Sequence, residues 1–411
     1  MAEVMYRPLH EVIDIIDVMC NMQVNGTDTA IPLLRGAPGG GKTESIRHMV
    51  QKNGDEFLSC HLALKQPEDL GGIPQFSNIN INNQEILSTK WSIPEIFESL
   101  LKLSDSAKKK GKKVIFFLDD IHRCGPFHVT ALFELLTERK LREIKIPDNV
   151  AIVLAGNGSI KAGAQLTNSA IINRCSVMDV QTDFNYWREH YAAPHDFNMH
   201  ILSFLANQRY HKHFHGEEDI NNPWPSPRAW SKLSNVLNYY LNGKTKASAD
   251  KIEYICRAHV GYEATKDFIS YYQLIAKFKV GDIFKKVGEG FKKNSLKKVV
   301  EDTITEIQKY DELEQFALSH ALLIEFTQKS KDERKKFNYY EILCAILLSF
   351  IQNPKNTFPE ICISILKELV TFILKDETEK DFVRTTYDNM ATSIGSPKIN
   401  EHIKTLIRRE N

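Results

Sequence analysis

The chain has 411 residues, 42% of them hydrophobic, and a formal net charge of +1. That length exceeds a single compact core and points to two or three globular domains, while the near-neutral charge excludes a protein built mainly to coat nucleic acid. Seven scattered cysteines without a C-x-x-C pair argue for reduced thiols in a cytoplasmic setting. No secretory leader is visible, and the longest strongly apolar stretch, 342–351, is too short to span a membrane.

Apolar residues at helical spacing (Leu9, Val12, Ile13, Ile16, Met19) predict a lead-in helix over 8–22. Residues 30–34 read as a strand that enters Gly36-Ala37-Pro38-Gly39-Gly40-Gly41-Lys42-Thr43, and 44–51, opening with Glu44, read as the helix leaving it. The spacing G-x-x-x-x-G-K-[ST] is that of a phosphate-binding loop. Its glycines let several backbone N–H groups converge on one anion, Lys42 supplies charge to the β/γ-phosphates, and Thr43 offers a hydroxyl to Mg²⁺. The helix start adds unpaired donors and partial positive charge. A nucleoside triphosphate is therefore the expected ligand.

Residues 57–64 read as the next strand. The segment 76–91, alternating Asn78, Ile79, Asn80, Ile81 and Asn82, reads as an inserted β-hairpin, with a polar loop as its alternative, and Ile79 and Ile81 are candidates to touch a client. The lysines of 108–113 read as a solvated turn or as a phosphate or nucleic-acid contact. The apolar run 114–118 ending in Asp119 and Asp120 has the pattern of a buried parallel strand delivering acids to a sheet edge. There Asp119 would hold Mg²⁺ through water, and Asp120 would orient or deprotonate the attacking water. His122 reads as a base, a partner for the acid or a packed imidazole.

A third apolar strand, 150–155, ends in Gly156-Asn157-Gly158, where Asn157 can bond both water and γ-phosphate or simply form a turn. Arg174 follows a short apolar helix and by itself reads as a surface cation. Ser226 suits a helix cap, Pro227 the first turn, and Arg228 beside them suggests an external anion. Helical periodicity covers 196–208, 228–241, 251–259 and 263–277. His211, His213 and His215 read as a solvated loop rather than a metal site. Residues 284–296, with Gly288 and Gly290, read as a linker, and helices with apolar faces follow (Phe316, Leu318, Leu322, Leu323, Phe326; Ile361, Ile365, Leu369, Phe372).

In order, phosphate loop, Asp-Asp strand, Asn after a strand, Arg after a helix and Arg in a later helix resemble the AAA+ ATPase pattern over roughly 8–280. Pro67-Glu68-Asp69-Leu70-Gly71-Gly72-Ile73-Pro74, Leu118-Asp119-Asp120-Ile121-His122-Arg123, the 138–148 segment and Val260-Gly261-Tyr262-Glu263-Ala264 resemble the MoxR-like branch. The resemblance implies an α/β P-loop AAA+ core with a parallel sheet over 1–187, including hairpins at 76–91 and 138–150. It further implies an all-α lid over 188–282, with a C-terminal helical domain over 283–411. It implies ATP and Mg²⁺ as cofactors, Lys42 and Thr43 as Walker A, Asp119 as the Walker B metal acid, Asn157 as sensor 1 and Arg228 as sensor 2. Arg174 would be the arginine finger reaching a neighbouring subunit. Asp120 departs from the family's Glu, and one methylene less of reach predicts slower hydrolysis.

The expected function is ATP hydrolysis in a homo-oligomeric ring, a hexamer by resemblance, that remodels a protein client and pairs with a von Willebrand A-domain partner. The alternatives are a nucleic-acid-dependent ATPase, motivated by the lysine clusters, and a nucleotide-dependent scaffold or switch, motivated by Asp120.

Overall fold

The structure, a computed structural model, describes residues 6–27, 29–157, 169–195, 197–216, 218–219, 221–242, 248–292, 302, 305–306, 309–328 and 343. It divides into two compact units, Met1–Trp187 with Gly216–Ala229, and Arg188–His215 with Trp230–Asn411.

The first unit is built on a parallel sheet of β1 (Arg7–Pro8), β2 (Ile31–Arg35), β3 (Glu56–His61), β6 (Val114–Asp119), β9 (Val150–Gly156) and β10 (Cys175–Gln181), in the spatial order β1-β10-β2-β9-β6-β3. β6 and β9 lie in its interior and are apolar up to Asp119 at the end of β6. Their residues alternate between two cores: Val114, Phe116, Leu118, Ile152 and Leu154 face one, and Ile115, Phe117, Ala151, Val153 and Ala155 the other. Such two-sided burial is why both strands read as continuous apolar runs. α1 (Leu9–Val24) and α2 (Lys42–Asn53) supply the second core with Val12, Ile16, Ile46 and Met49. α3 (Pro67–Gly71), α4 (Glu95–Lys109) and α5 (Pro126–Glu138) supply the first with Leu70, Phe97, Leu100, Leu132 and Leu135. α1 is also pinned by a polar contact. The Gln23 amide donates to the Ile152 carbonyl (3.0 Å) and accepts from the Ile152 N–H (2.9 Å), satisfying buried backbone at mid-strand.

Two hairpins leave this sheet. β4 (Pro74–Ile81) pairs antiparallel with β5 (Gln84–Trp91) through Asn82 and Asn83, both at positive φ, and β7 (Lys140–Leu141) pairs with β8 (Ile144–Lys145). On the larger hairpin Ile81 is exposed but Ile79 is half-buried, and the most exposed apolar side chains are Phe76 (68%) and Leu87 (66%). α6 (Ser169–Ile172) precedes β10 and α7 (Phe184–Trp187) follows it.

The second unit is helical: α8 (Met199–Ala206), all but the first turn of α9 (Pro227–Asn242), α10 (Ala249–Lys277), α11 (Val280–Lys292) and α12 (Glu312–Gln328). Phe204 packs there against Tyr210, Trp230, Phe268 and Tyr271. α10 joins the two helices expected at 251–259 and 263–277 across a break at Gly261 (φ 77°). The linker expected at 284–296 is corrected as far as residue 292. Val280, Ile283, Phe284, Val287 and Phe291 recur at helical spacing, and α11 forms across Gly288 and Gly290 with Val280 and Phe284 buried. The apolar face at Phe316, Leu318, Leu322, Leu323 and Phe326 is buried, whereas Ile361, Ile365, Leu369 and Phe372 lie outside the described residues, as do Gly158, Cys344 and Cys362. The first unit is thus an α/β fold, a parallel sheet flanked by helices, and the second unit is helical. Among the described residues no helix is long and apolar enough to cross a membrane, and Cys20, Cys60, Cys124, Cys175 and Cys256 are free thiols.

Candidate functional site

All strands of the sheet run the same way, so the loops after β2, β6 and β9 emerge at one edge. Register fixes their order: Arg35 lies opposite Gly156, and Leu118 opposite Leu154. β9 therefore stands between the strand that feeds the phosphate loop and the strand that carries the acids, and Asn157 is interposed between Lys42 and Asp119.

The loop is shaped by contacts that tolerate few side chains. A Cβ on Gly36 would fall 2.4 Å from the Val180 carbonyl oxygen, and Gly39 has φ +74° with Arg228 and Ser226 close above it. Thr182, just past β10, donates its hydroxyl to the Gly40 carbonyl (2.5 Å), tying the loop to a strand not evident in the sequence. Lys42 is 8% exposed, and its ammonium donates to the carbonyls of Gly36 (2.9 Å) and Ala37 (3.0 Å), with Asn157 Oδ1 at 3.4 Å. Burial pushes the Lys42 pKa down to about 8, Asp119 opposes the shift and Arg228 adds to it. Gly41 caps α2 at positive φ, and Glu44 in the first turn is turned toward Arg47 (3.8 Å) with its side chain largely exposed.

Thr43 Oγ1 donates to Asp119 Oδ2 (2.8 Å), and His61 Nδ1 lies 3.9 Å from the same oxygen. A hydroxyl and a carboxylate already in contact are a donor set suited to Mg²⁺, a hard cation. Asp120 adopts a left-handed backbone (φ 61°, ψ 32°), its N–H donating to Asp119 Oδ1 (2.9 Å). His122, in the 3₁₀ turn that follows, is 2% exposed and accepts at Nδ1 from the Asn157 N–H (3.1 Å), with Nε2 3.2 Å from the Asn157 Nδ2. Burial holds its pKa below the usual imidazole value, partly offset by Asp120. Of the three readings open for His122, the packed imidazole describes its position, and its partner is Asn157.

Arg228 stands beside the phosphate loop: Ser226 Oγ accepts from the Ala229 N–H (3.2 Å), capping α9 as expected, and that cap places Arg228 Cβ against Gly39. Arg174 lies elsewhere. Its carbonyl accepts from the Ile31 N–H at the amino end of β2, so the five-residue strand separates it from the phosphate loop, about 17 Å at 3.3 Å per residue. Its guanidinium lies on its own chain's α5, 4.0 Å over the Phe133 ring and donating to Thr137 Oγ1 (2.8 Å), with the residue half-exposed. The lysines of 108–113 are largely engaged: Lys109 pairs with Asp105, Lys110 with Glu56, and Lys113 with Asp17 and Asp55. His213 contacts Asp267 (2.8 Å).

No protein-family model matches the chain, and no curated protein matches it. Many solved structures overlap it loosely, three of them as follows. A mutant of Thermotoga maritima RuvB aligns at 12% identity and a TM-score of 0.36, over 70% of this chain and 79% of that one. Caenorhabditis elegans PCH-2 aligns at 16% and 0.34, over 64% and 69%. The Thermotoga maritima RuvB Holliday junction branch migration motor aligns at 13% and 0.34, over 69% and 76%. Overlaps of this size carry no argument about what the chain does.

Proposed function

We propose that the chain is an AAA+ ATPase of the MoxR-like type, binding ATP with Mg²⁺ and working as a cytoplasmic homo-oligomeric ring, a hexamer, on a protein client with a von Willebrand A-domain partner. One observation carries the ATPase part: Lys42, Thr43, Asp119, Asn157 and Arg228 gather at one sheet edge around a glycine loop. Among the described residues Lys42 is held by two loop carbonyls with the Asn157 amide beside it, and phosphate oxygens would add stronger, charged acceptors. Thr43 and Asp119 would hold Mg²⁺, which when bound neutralises charge on the phosphates. Asp120 is assigned to position the water, and Arg228 to bind the polyanion at the start of α9.

Arg174 is assigned to the interface of that ring. It sits at the sheet edge opposite the phosphate loop of its own chain, so any triphosphate it reaches belongs to a neighbour. Its release from Phe133 and Thr137 would accompany that engagement. Arginine fingers are worth about 10³–10⁵ in turnover. Mixing Arg174→Ala chains with Lys42→Ala chains tests the assignment. Each parent should be inactive, and mixtures should regain ATPase activity wherever an intact Arg174 faces an intact Lys42. Mixtures that never exceed either parent overturn the trans role.

A second reading, a nucleotide-dependent switch with slow turnover, is favoured by the short arm of Asp120. Phosphate release by the pure protein decides between them, and turnover that vanishes in Asp119→Ala eliminates the switch. The nucleic-acid reading loses its main motivation, because three of the five lysines in 108–113 are held by acids of the same chain.

A further inference from the structure

We propose that His122 is a positioning residue whose Nε2–H tautomer turns the side-chain amide of Asn157 so that its NH₂ group faces Lys42 and the phosphate site. The inference deepens the ATPase reading and rests on it for its catalytic meaning, although the hydrogen-bond arrangement stands on its own.

The argument begins with a donor that cannot turn. The Asn157 backbone N–H points at His122 Nδ1 (3.1 Å) just past the end of β9, where the carbonyl of the same peptide unit, that of Gly156, accepts from the Gly36 N–H (3.3 Å) and fixes its direction. Nδ1 must therefore be the unprotonated, accepting nitrogen. A neutral imidazole then carries its hydrogen on Nε2, and Nε2 lies 3.2 Å from the Asn157 side-chain amide. An NH₂ group there would set donor against donor in a buried place. Amide oxygen and nitrogen exchange places on a half-turn, and the neighbouring hydrogen bonds decide between them. With Oδ1 toward His122, both ring nitrogens are satisfied and the NH₂ group is delivered to the position 3.4 Å from Lys42 Nζ.

Among the described residues that position then holds two donors and no acceptor between them. The Lys42 ammonium keeps the Gly36 and Ala37 carbonyls as its acceptors, while the amide NH₂ awaits one. An anionic oxygen placed between the two would accept from both, so His122 makes Asn157 a donor toward phosphate rather than an acceptor competing with phosphate for Lys42. The approach of the ring is itself built into the fold. A Cβ on Gly156 would meet Ile121 Cγ2 at 2.8 Å and His122 Nδ1 at 3.6 Å, so the glycine before Asn157 gives the 3₁₀ turn room to lie on the strand end. Burial lowers the ring's pKa, which favours the neutral form that the arrangement uses.

The test reads the tautomer first. In the full-length protein labelled with ¹⁵N-histidine and free of nucleotide, His122, identified by the signals lost in His122→Gln, should show its hydrogen on Nε2 and an accepting Nδ1. A hydrogen on Nδ1, or an imidazolium at neutral pH, overturns the proposal whatever the protein's activity. Kinetics supplies the second arm. His122→Leu should lower kcat for ATP about 10- to 100-fold, the usual cost of losing an orienting partner, with KM changed less than about 2-fold. His122→Gln, whose amide can donate near the Nε2 position, should recover part of that loss. Wild-type kcat in His122→Leu, a loss carried by KM alone, or a Gln variant no better than Leu would each refute it. If His122→Leu does not fold, the tautomer still decides. If the wild-type chain fails to hydrolyse ATP, the functional reading falls while the tautomer result continues to judge this inference.

Discussion

Lys42 combines two demands that pull its pKa in opposite directions. Its ammonium is nearly buried, which lowers the pKa to about 8 before any ligand arrives, and a polyanion beside it would raise the value again. Below pH 8 the group is charged with or without ligand, and protonation is not linked to binding. Above pH 8 the free protein has lost the proton that the bound form keeps, so ATP binding should take up close to one proton, and affinity should fall about tenfold per pH unit until the bound pKa is reached. Calorimetry in buffers of different ionisation heat reads that uptake directly, and a proton count near zero at about pH 8.5 would contradict the assignment. Asp120 shows another residue-scale constraint. Its left-handed backbone suits aspartate, a short polar side chain that visits this region more readily than most. The aspartate that stands where the resemblance implies a Glu thus coincides with a local conformation that the sequence pattern does not reveal.

At the scale of elements, the hairpin β4–β5 and the sheet interior respond differently to substitution. Phe76 and Leu87 are about two-thirds exposed on the hairpin, whereas Leu100 of α4 is fully covered in the core beneath β6. Phe76→Ser with Leu87→Ser should shift urea unfolding by roughly 0.5 kcal/mol per site or less, the usual limit at exposed positions. Leu100→Ala should cost about 2–5 kcal/mol. Equal effects would show that the hairpin's apolar residues are covered in the folded chain. The same contrast explains what was legible in the sequence. β6 and β9 were plain because burial on both faces writes an unbroken apolar run. The Asn-Ile alternation over 78–82 marks the hairpin, whereas the Asn82-Asn83 turn is seen only in the structure. β10 was missed because Cys175-Ser176-Val177-Met178-Asp179 carries both a serine and an aspartate within the strand, the latter paired to Arg35 across the ladder (2.5 Å). α11 is obscured in the sequence because Gly288 and Gly290, poor helix formers, interrupt the apolar spacing around them. Thr182 under the phosphate loop and His122 against Asn157 have no local pattern at all; both depend on strand order, which brings distant segments together.

For the molecule as a whole, the two ends of the sheet have separate chemistry. Lysine, acid, amide and the α9 arginine occupy the carboxyl edge, and Arg174 the amino edge, so the proposed catalytic set is divided between faces that one chain cannot bring together. What joins the carboxyl-edge groups is the pair β6–β9, whose apolar residues are sealed from solvent and whose backbones are bonded over five registered positions. Asp119 and Asn157 hang directly from those strands. Amide protons there should be among the last in the protein to exchange with deuterated water, opening only when the entire first unit melts. Warming should therefore leave nucleotide affinity intact almost to the melting temperature, and then abolish it in step with the loss of sheet structure. The site is as heat-resistant as the scaffold beneath it, because its two central groups are the ends of two fully flanked beams of that scaffold.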